Sequence, residues 1–481
     1  MLLKNRKTER EYSLIEYAKY SLPLIAVFML IVFSIDKNFG DDNARTVDRY
    51  FGWEQEGRPI ASLIVYILNG GGLLTNIAPL SQVLTILVGC LTCAIIGRYV
   101  IKTHPLTCAL ATAVIFTSPF FIENLSFKFD SLSMSTAMLF CCIPFVTMKE
   151  KNALISSAAC FAFTLLSLMT YQAALPLFYA CMFVFIFSQS EFTTKDSKRC
   201  FYSLLLSAAA LFLYTFFISK IFVQTGYATE SAKILNPMEP GFLDSLYRNF
   251  NFALRPIGDL LKSNILPYYA TALLALPVAI YLSRGSFFER KFIFIISFCA
   301  MVCSIIIFYI TKTPSINARM MIWFNATMFV IFSIIAKALP LRWFLALSVL
   351  PVIFNFSLAN DYRVSQTEQL RYERNILQSI YSDHKTFRLN GDVIISGRAP
   401  LSYVTQGVVD KRPIIGGLMR QDIGTWTTEK FAKIEMPFIN IKFTKRPELK
   451  CGDKIITKNN IYMMHEVDGK VFITFDTNCI K

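Results

Sequence analysis

The amino-acid sequence predicts a polytopic α-helical membrane protein that ends in a small α+β domain. Hydrophobic residues make up 54% of the 481 residues and charged residues only 17%, against about 25% charged in a typical soluble domain. Charges are scarce from about Ser21 to Asn360 and return to soluble-like density from Asp361 onward. Because a spanning helix needs about 20 mostly apolar residues, the first and larger part of the chain predicts a membrane body.

The apolar stretches predict about eleven spans. Basic segment 4–19 precedes the first of them without a small-residue cleavage site, so we expect a cytoplasmic lead-in to a retained span. Short loops containing Arg98 and Lys102, or Lys337 and Arg342, fall on the same side, and the positive-inside rule then places the N-terminus inside and the tail outside. The predicted spans are 20–36, 80–98, 105–121, 131–148, 152–169, 172–189, 200–218, 265–283, 292–310, 320–337 and 341–358.

Spans 152–169 and 172–189 are nearly continuous, and the tail would lie inside if they formed one element. We predict a membrane module over 1–358, with outer loops 36–79, 120–130 and 220–264, and an α+β domain on the outer side over 359–481. That domain is expected to begin with a helix at 362–382, with Leu370, Ile376, Leu377 and Ile380 on one face. Strands are expected at DVIIS, NIKF, IYMMHEV and KVFITF, with a hairpin turn at Asp468-Gly469.

The net charge of +15 is explained by basic cytoplasmic loops, so no nucleic acid is expected as a partner. Ten of the twelve cysteines lie in or beside apolar spans, without metal-ligand spacing. Cys451 and Cys479 lie in the tail and can form a disulfide if it faces an oxidising periplasm. The three histidines are well separated and no phosphate-binding glycine loop is present, so neither a metal site nor a soluble nucleotide donor is expected.

Adjacent carboxylates, Asp41 and Asp42, follow the first span. They can cap a helix that begins near Asn43, with Asp41 and Arg45 as a surface pair at i,i+4. Alternatively, one carboxylate is a general base that removes the proton of an acceptor hydroxyl, and Arg45 contacts the substrate. The local pattern leaves both interpretations open.

The segment Trp53-Glu54-Gln55-Glu56-Gly57-Arg58-Pro59 combines an aromatic ring with acidic and amide groups, as sugar-binding sites do. In that interpretation Trp53 and Glu54 contact a sugar, and the Arg58 guanidinium binds a phosphate in a bidentate fork. The alternative is a tryptophan anchor at the membrane interface, with Arg58 extending toward water.

A second set of polar residues lies in the aromatic loop PFFIENLSFKFD, between two predicted spans. Glu123, Asn124 and Asp130 are candidate substrate ligands, and Lys128 is a candidate for the donor phosphate. Asp130 can instead cap the following helix. Arg319, at the outer start of a later span, is a further candidate phosphate ligand or an interface anchor.

These three segments, GDDNAR, W-x-x-E-G-R-P and IENLSFKFDS, resemble the serotype-converting O-antigen glucosyltransferases. These are bacterial inner-membrane enzymes often carried by temperate phage. The resemblance implies a GT-C fold, undecaprenyl-phosphate glucose as donor, and a lipopolysaccharide O-antigen sugar as acceptor on the periplasmic face. It also implies inverting transfer and dependence on a donor synthase and a flippase. It places Asp41 and Asp42 at the acidic catalytic position without deciding which is the base. Because the leaving group is a monophosphate, no metal or other cofactor is expected to be obligatory.

Two other functions are compatible with an envelope membrane protein of this kind. An O-antigen polymerase would move a lipid-linked chain and is usually tied to arginine-rich outer loops, whereas the paired aspartates favour transfer of a single sugar. A non-enzymatic transporter or flippase would place ionisable residues at mid-membrane depth. In this sequence the unusual polar residues lie at the outer ends of the spans.

Overall fold

The computed structural model describes residues 11–148, 153–189, 192–224, 233–283, 291–306, 309–312, 317–445, 454–467 and 469–475, with Gly226, Thr229 and Glu230. Its α-helices in this part of the chain are α1 Leu14–Phe33, α2 Asp41–Asp48, α3 Pro59–Leu68, α4 Leu80–Ile95, α5 Pro105–Phe116, α6 Phe121–Ser126, α7 Ser131–Cys142, α8 Pro144–Thr147, α9 Ala153–Thr170, α10 Leu175–Ser188, α11 Thr194–Leu213, α12 Ser219–Phe222, α13 Phe242–Leu260, α14 Leu266–Leu282, α15 Lys291–Ile306, α16 Ile322–Ala338, α17 Leu341–Thr386, α18 Tyr403–Lys411, α19 Pro413–Leu418 and α20 Thr428–Glu435.

Each predicted span overlaps an apolar helix of the structure. In the described part of the chain, six helical segments are long and apolar enough to cross a membrane, and one of them, Phe242–Leu282, is kinked at Ser263 and Asn264. The other predicted spans fall on shorter apolar helices of 10–17 residues. Tyr171 has extended backbone (φ −160°, ψ 104°) and separates α9 from the next helical segment, so 152–189 is not a single helix. The span count and the orientation stay predictions.

Helix α17 runs for 46 residues without a break. The predicted helix at 362–382 is confirmed, but it is part of α17 and continues the last apolar segment, so the predicted domain boundary at residue 358 lies inside α17. The predicted apolar face is confirmed, because Leu370, Ile376, Leu377 and Ile380 are buried together with residues of the sheet. One continuous helix thus connects the membrane body to the tail.

The tail contains a five-stranded sheet of order β2-β1-β5-β4-β3, formed by β1 Val393–Ser396, β2 Ile441–Thr444, β3 Ile455–Lys458, β4 Met463–Val467 and β5 Lys470–Thr474. Strand β1 pairs in parallel with β2 and β5, and β4 pairs antiparallel with β5 and β3. Four of the strands were predicted, whereas β3 was missed. The predicted hairpin joins Val467 to Lys470 through Gly469, whose φ of +72° suits a tight turn; Asp468 lies outside the described residues.

The tail is also attached to the membrane body through α19. Ile414, Ile415 and Leu418 are buried in the large core formed by the apolar helices, not in the smaller core under the sheet. Burying such side chains contributes about 1.5–3 kcal/mol each. The chain that follows α19 is therefore held close to the membrane body.

Candidate functional site

Helix α2 begins at Asp41, and the preceding Gly40 turns the chain into it with φ +55° and ψ −111°. This conformation is open to glycine because it lacks a Cβ. No side chain caps the helix, so the capping interpretation of the two aspartates is wrong. Their carboxylates are left for other contacts.

Asp42 is fully buried. Its Oδ2 accepts a hydrogen bond of 2.8 Å from the backbone N–H of Lys128, while its Oδ1 has no hydrogen-bond partner among the described residues. Burial, followed by the nearby charge of Asp130, raises the pKa of Asp42 to about 8, against the effect of the Lys128 N–H. Asp42 is therefore mostly protonated at neutral pH.

Asp41 is the accessible member of the pair, with 34% of its side chain exposed. Its Oδ2 lies 3.9 Å from Nη1 of Arg319. Burial raises the pKa of Asp41, Arg319 opposes that change, and Asp130 adds to it. A partly exposed carboxylate with a raised pKa, beside a cation, is suited to accept a proton.

Arg45 does not pair with Asp41 on the surface as predicted. It is buried, and its guanidinium donates hydrogen bonds to the carbonyl oxygens of Tyr50 and Phe51. The same guanidinium stacks on the ring of Trp53, 3.6 Å from its centroid. Arg45 thereby holds the chain between α2 and α3.

The Trp53 ring is fully buried, in a small apolar cluster with Ala61, Val65, Leu74 and Phe129. Its indole N–H donates a hydrogen bond to Oδ1 of Asp130. The ring face predicted to stack on a sugar is therefore covered by protein in this structure. Trp53 instead connects the loop 36–79 to the loop 120–130.

Arg58 lies between two carboxylates. Its Nη2 pairs with Glu56, and its Nη1 lies 3.4 Å from Oδ1 of Asp130. Burial lowers the pKa of Arg58, but the two carboxylates outweigh it and raise that pKa. Only 12% of the side chain is exposed. Nearby, the Glu54 carboxylate accepts a hydrogen bond from the Ser62 hydroxyl.

Glu123 and Asn124 position the segment that carries Arg319. Glu123 Oε2 accepts a hydrogen bond of 2.8 Å from the backbone N–H of Arg319. Asn124 Nδ2 donates a hydrogen bond of 3.2 Å to the Arg319 carbonyl oxygen. The Tyr171 hydroxyl donates to the same carbonyl at 2.7 Å. Both Glu123 and Asn124 are buried. The loop predicted to bind substrate thus fixes the arginine beside Asp41.

Lys128 places its ammonium 3.4 Å from Oδ1 of the exposed Asp36. Asp130 precedes α7 at the capping position but makes no capping hydrogen bond with its side chain. Lys128 also lines a cleft between α1 and α17. Its other lining residues are Val32, Phe33, Ile35, Lys37, Phe39, Gln82, Leu125, Ser126, Tyr362 and Gln366.

Several residues of this region were not found by sequence reasoning. Lys37, Glu373 and Asp422 form a buried charge cluster, and Arg420 reaches Glu123 from the tail. Their pairings join positions hundreds of residues apart, which no local pattern indicates. In the described residues, no group of three or more histidine, cysteine, aspartate or glutamate side chains is placed to hold a metal ion. The candidate disulfide residues Cys451 and Cys479 lie outside the described residues.

Residues 26–357 match the family model described as "Glucosyl transferase GtrII". A protein of Salmonella phage P22, described as an uncharacterized 55.3 kDa protein in the gtrB 5' region, is 31% identical over 263 residues. That alignment covers 52% of this chain and 52% of the phage protein, so the chain spans about half the length of the curated relative it matches. No solved structure matches the chain.

Proposed function

Because the chain belongs to the glucosyl transferase GtrII family, we propose that it transfers glucose from undecaprenyl-phosphate glucose to a sugar of lipopolysaccharide O-antigen. The reaction takes place on the periplasmic face of the bacterial inner membrane. A donor synthase and a flippase supply the lipid-linked sugar. The observation that carries the proposal is the Asp41–Arg319 pair, which sets an accessible carboxylate beside a cation inside the matched region.

Asp41 acts as the general base. It takes the proton of the acceptor hydroxyl, whose oxygen attacks the anomeric carbon of glucose. The bond between that carbon and the phosphate oxygen breaks, the lipid phosphate leaves with the electron pair, and the configuration inverts. Asp42 cannot take this role as it lies, because it is buried and mostly protonated at neutral pH. It is a positioning residue that ties α2 to the Lys128 backbone.

Negative charge develops on the leaving phosphate and needs fixed cations. Arg319 is the best placed, since 21% of its side chain is exposed and it adjoins Asp41. Lys128 is a second candidate, because its exposed partner Asp36 holds it only by a surface ion pair. Arg58 acts indirectly, since Glu56 and Asp130 already occupy its guanidinium.

The deciding experiment expresses the chain in a smooth O-antigen host that carries the donor synthase and flippase. A new glucose side branch, detected by sugar analysis and mass spectrometry of the O-antigen, is the expected result. The branch should be absent with Asp41→Asn at equal membrane abundance. An unmodified O-antigen with the wild-type chain overturns the proposal.

A further inference from the structure

Arg420, in the tail, lies at the same group of outer-loop residues as Arg319. It comes two residues after the end of α19, whose apolar side chains are buried in the membrane-body core. Its Nη2 lies 3.0 Å from Oε1 of Glu123 and 3.2 Å from Oδ1 of Asn317. The other oxygen of Glu123 accepts the backbone N–H of Arg319. A single buried carboxylate thus links the two arginines.

A buried charge cluster fixes the backbone at Arg420. Lys37 Nζ donates a hydrogen bond of 2.6 Å to the Arg420 carbonyl oxygen. The same Nζ lies 3.0 Å from Oδ2 of Asp422 and 3.6 Å from Oε2 of Glu373. Oδ1 of Asp422 also accepts a hydrogen bond of 2.8 Å from Asn43 Nδ2. Lys37 and Asn43 lie on either side of Asp41 and Asp42 in the chain, so the tail segment 420–422 is tied to both flanks of the carboxylate pair.

Two aromatic rings lie between the guanidinium groups. The Arg319 guanidinium is 4.7 Å from the Phe127 ring centroid, the Arg420 guanidinium is 5.9 Å from that of Phe39, and the two rings pack edge to face at 4.9 Å. The Arg420 side chain is 43% exposed. Among the described residues, only its Nη2 donates hydrogen bonds, which leaves the other guanidinium N–H groups for a ligand.

We infer that Arg420 is a second guanidinium that binds the phosphate of the lipid-linked sugar donor, delivered to the site by the tail domain. The inference rests on the proposed function. A guanidinium presents planar N–H donors that match phosphate oxygens, and Glu123 uses only one of its nitrogens. Two arginines can share the charge that develops as the lipid phosphate leaves, one from the membrane body and one from the tail.

The test uses the purified full chain, undecaprenyl-phosphate glucose and O-antigen acceptor, with undecaprenyl phosphate as inhibitor. Arg420→Gln should raise the donor KM and the inhibition constant of undecaprenyl phosphate together, each about tenfold, and leave the acceptor KM within about twofold. Arg374→Gln is the matched control, because Arg374 is 42% exposed and its guanidinium pairs with the tail residue Glu435 instead of Glu123. The inference is overturned if Arg420→Gln has the same donor KM and the same inhibition constant as the control variant.

A merely structural role, in which Arg420 neutralises Glu123, is distinguished in a Glu123→Gln background. If neutralisation is the whole role, adding Arg420→Gln there changes nothing, and the inference fails. If Arg420 binds phosphate, the donor KM and the inhibition constant still rise. If Arg420→Gln does not accumulate, Arg420→Lys is tested in its place, because it keeps the charge without the guanidinium fork. Undecaprenyl phosphate should inhibit this variant more weakly than the wild type. Equal inhibition of the two proteins overturns the inference. Absence of transfer by the wild-type chain instead refutes the proposed function.

Discussion

The Asp41 carboxylate faces the Arg319 guanidinium across 3.9 Å, from Oδ2 to Nη1. The two residues are far apart in the chain, and Arg319 is held there through its backbone by Glu123, Asn124 and Tyr171. This arrangement leaves both charged groups partly open to solvent. The Asp41 carboxylate can therefore contact a substrate, whereas the neighbouring Asp42 carboxylate is buried.

Replacing Asp41 by asparagine should abolish the proposed base. We expect glucose transfer to fall by about 10²–10⁴-fold, with unchanged expression and thermal unfolding, measured with radiolabelled donor. Asp48→Asn is the control on the same helix, since Asp48 forms a surface pair with Lys430. Comparable activity of the two variants would show that Asp41 is not the base.

Asp42→Asn should change how stability depends on pH. The folded pKa of about 8 exceeds the unfolded value of about 3.9, so between these values the folded state keeps a proton that the unfolded state has lost. Stability contributed by protonated Asp42 is complete below the lower value and decreases as pH rises toward the folded pKa. The variant cannot titrate there, so its melting temperature relative to wild type should rise by several degrees from pH 5 to pH 8. A difference that stays constant with pH would contradict the burial of Asp42.

Trp53→Phe should reduce stability and leave acceptor binding unchanged. The substitution removes the indole N–H that Asp130 accepts, at a cost of about 1–2 kcal/mol, and keeps most of the buried ring. Thermal unfolding and the acceptor KM are the two measurements. Trp426→Phe, at a tryptophan that is well exposed, should change neither. A large rise in acceptor KM for Trp53→Phe would restore the stacking interpretation.

Lys37→Met should destabilise the contact between the tail and the outer loops. It leaves Glu373 and Asp422 buried without their cation, which typically costs about 3–5 kcal/mol. Lys430→Met removes a surface pair and should cost at most about 1 kcal/mol. Unfolding temperature and protease cleavage of the tail report the difference, and equal behaviour of the two variants would refute the role of the cluster.

Chelation should leave transfer intact. The proposed reaction neutralises its monophosphate leaving group with arginine and lysine side chains, so activity in EDTA should equal that without it. The assay compares initial rates after dialysis against the chelator. Loss of activity that Mg²⁺ or Mn²⁺ restores would require a metal step in the mechanism.

The sequence alone determined the helical body, the position of its apolar helices, four of the five strands and the three motif segments. These are local properties, because hydrophobic periodicity and turn residues act over a few positions. The missed strand β3 lies at the sheet edge, and its residues are partly or fully exposed, so it carries little apolar pattern. The helix at 362–382 was predicted, but its continuity with the last apolar segment was not, because the change from apolar to polar residues inside α17 looks like a domain boundary although both stretches form helix.

Only the tertiary structure decided what the motif residues do. Asp41 and Asp42 are adjacent and chemically identical, yet one is partly exposed beside Arg319 and the other is buried against the Lys128 backbone. Trp53 carries a sugar-binding pattern but fills a small core. Arg420 belongs to a tail that showed no functional signal. Burial and pairing depend on which distant segments pack together, and they set accessibility and pKa, so the assignment of roles comes from the packing.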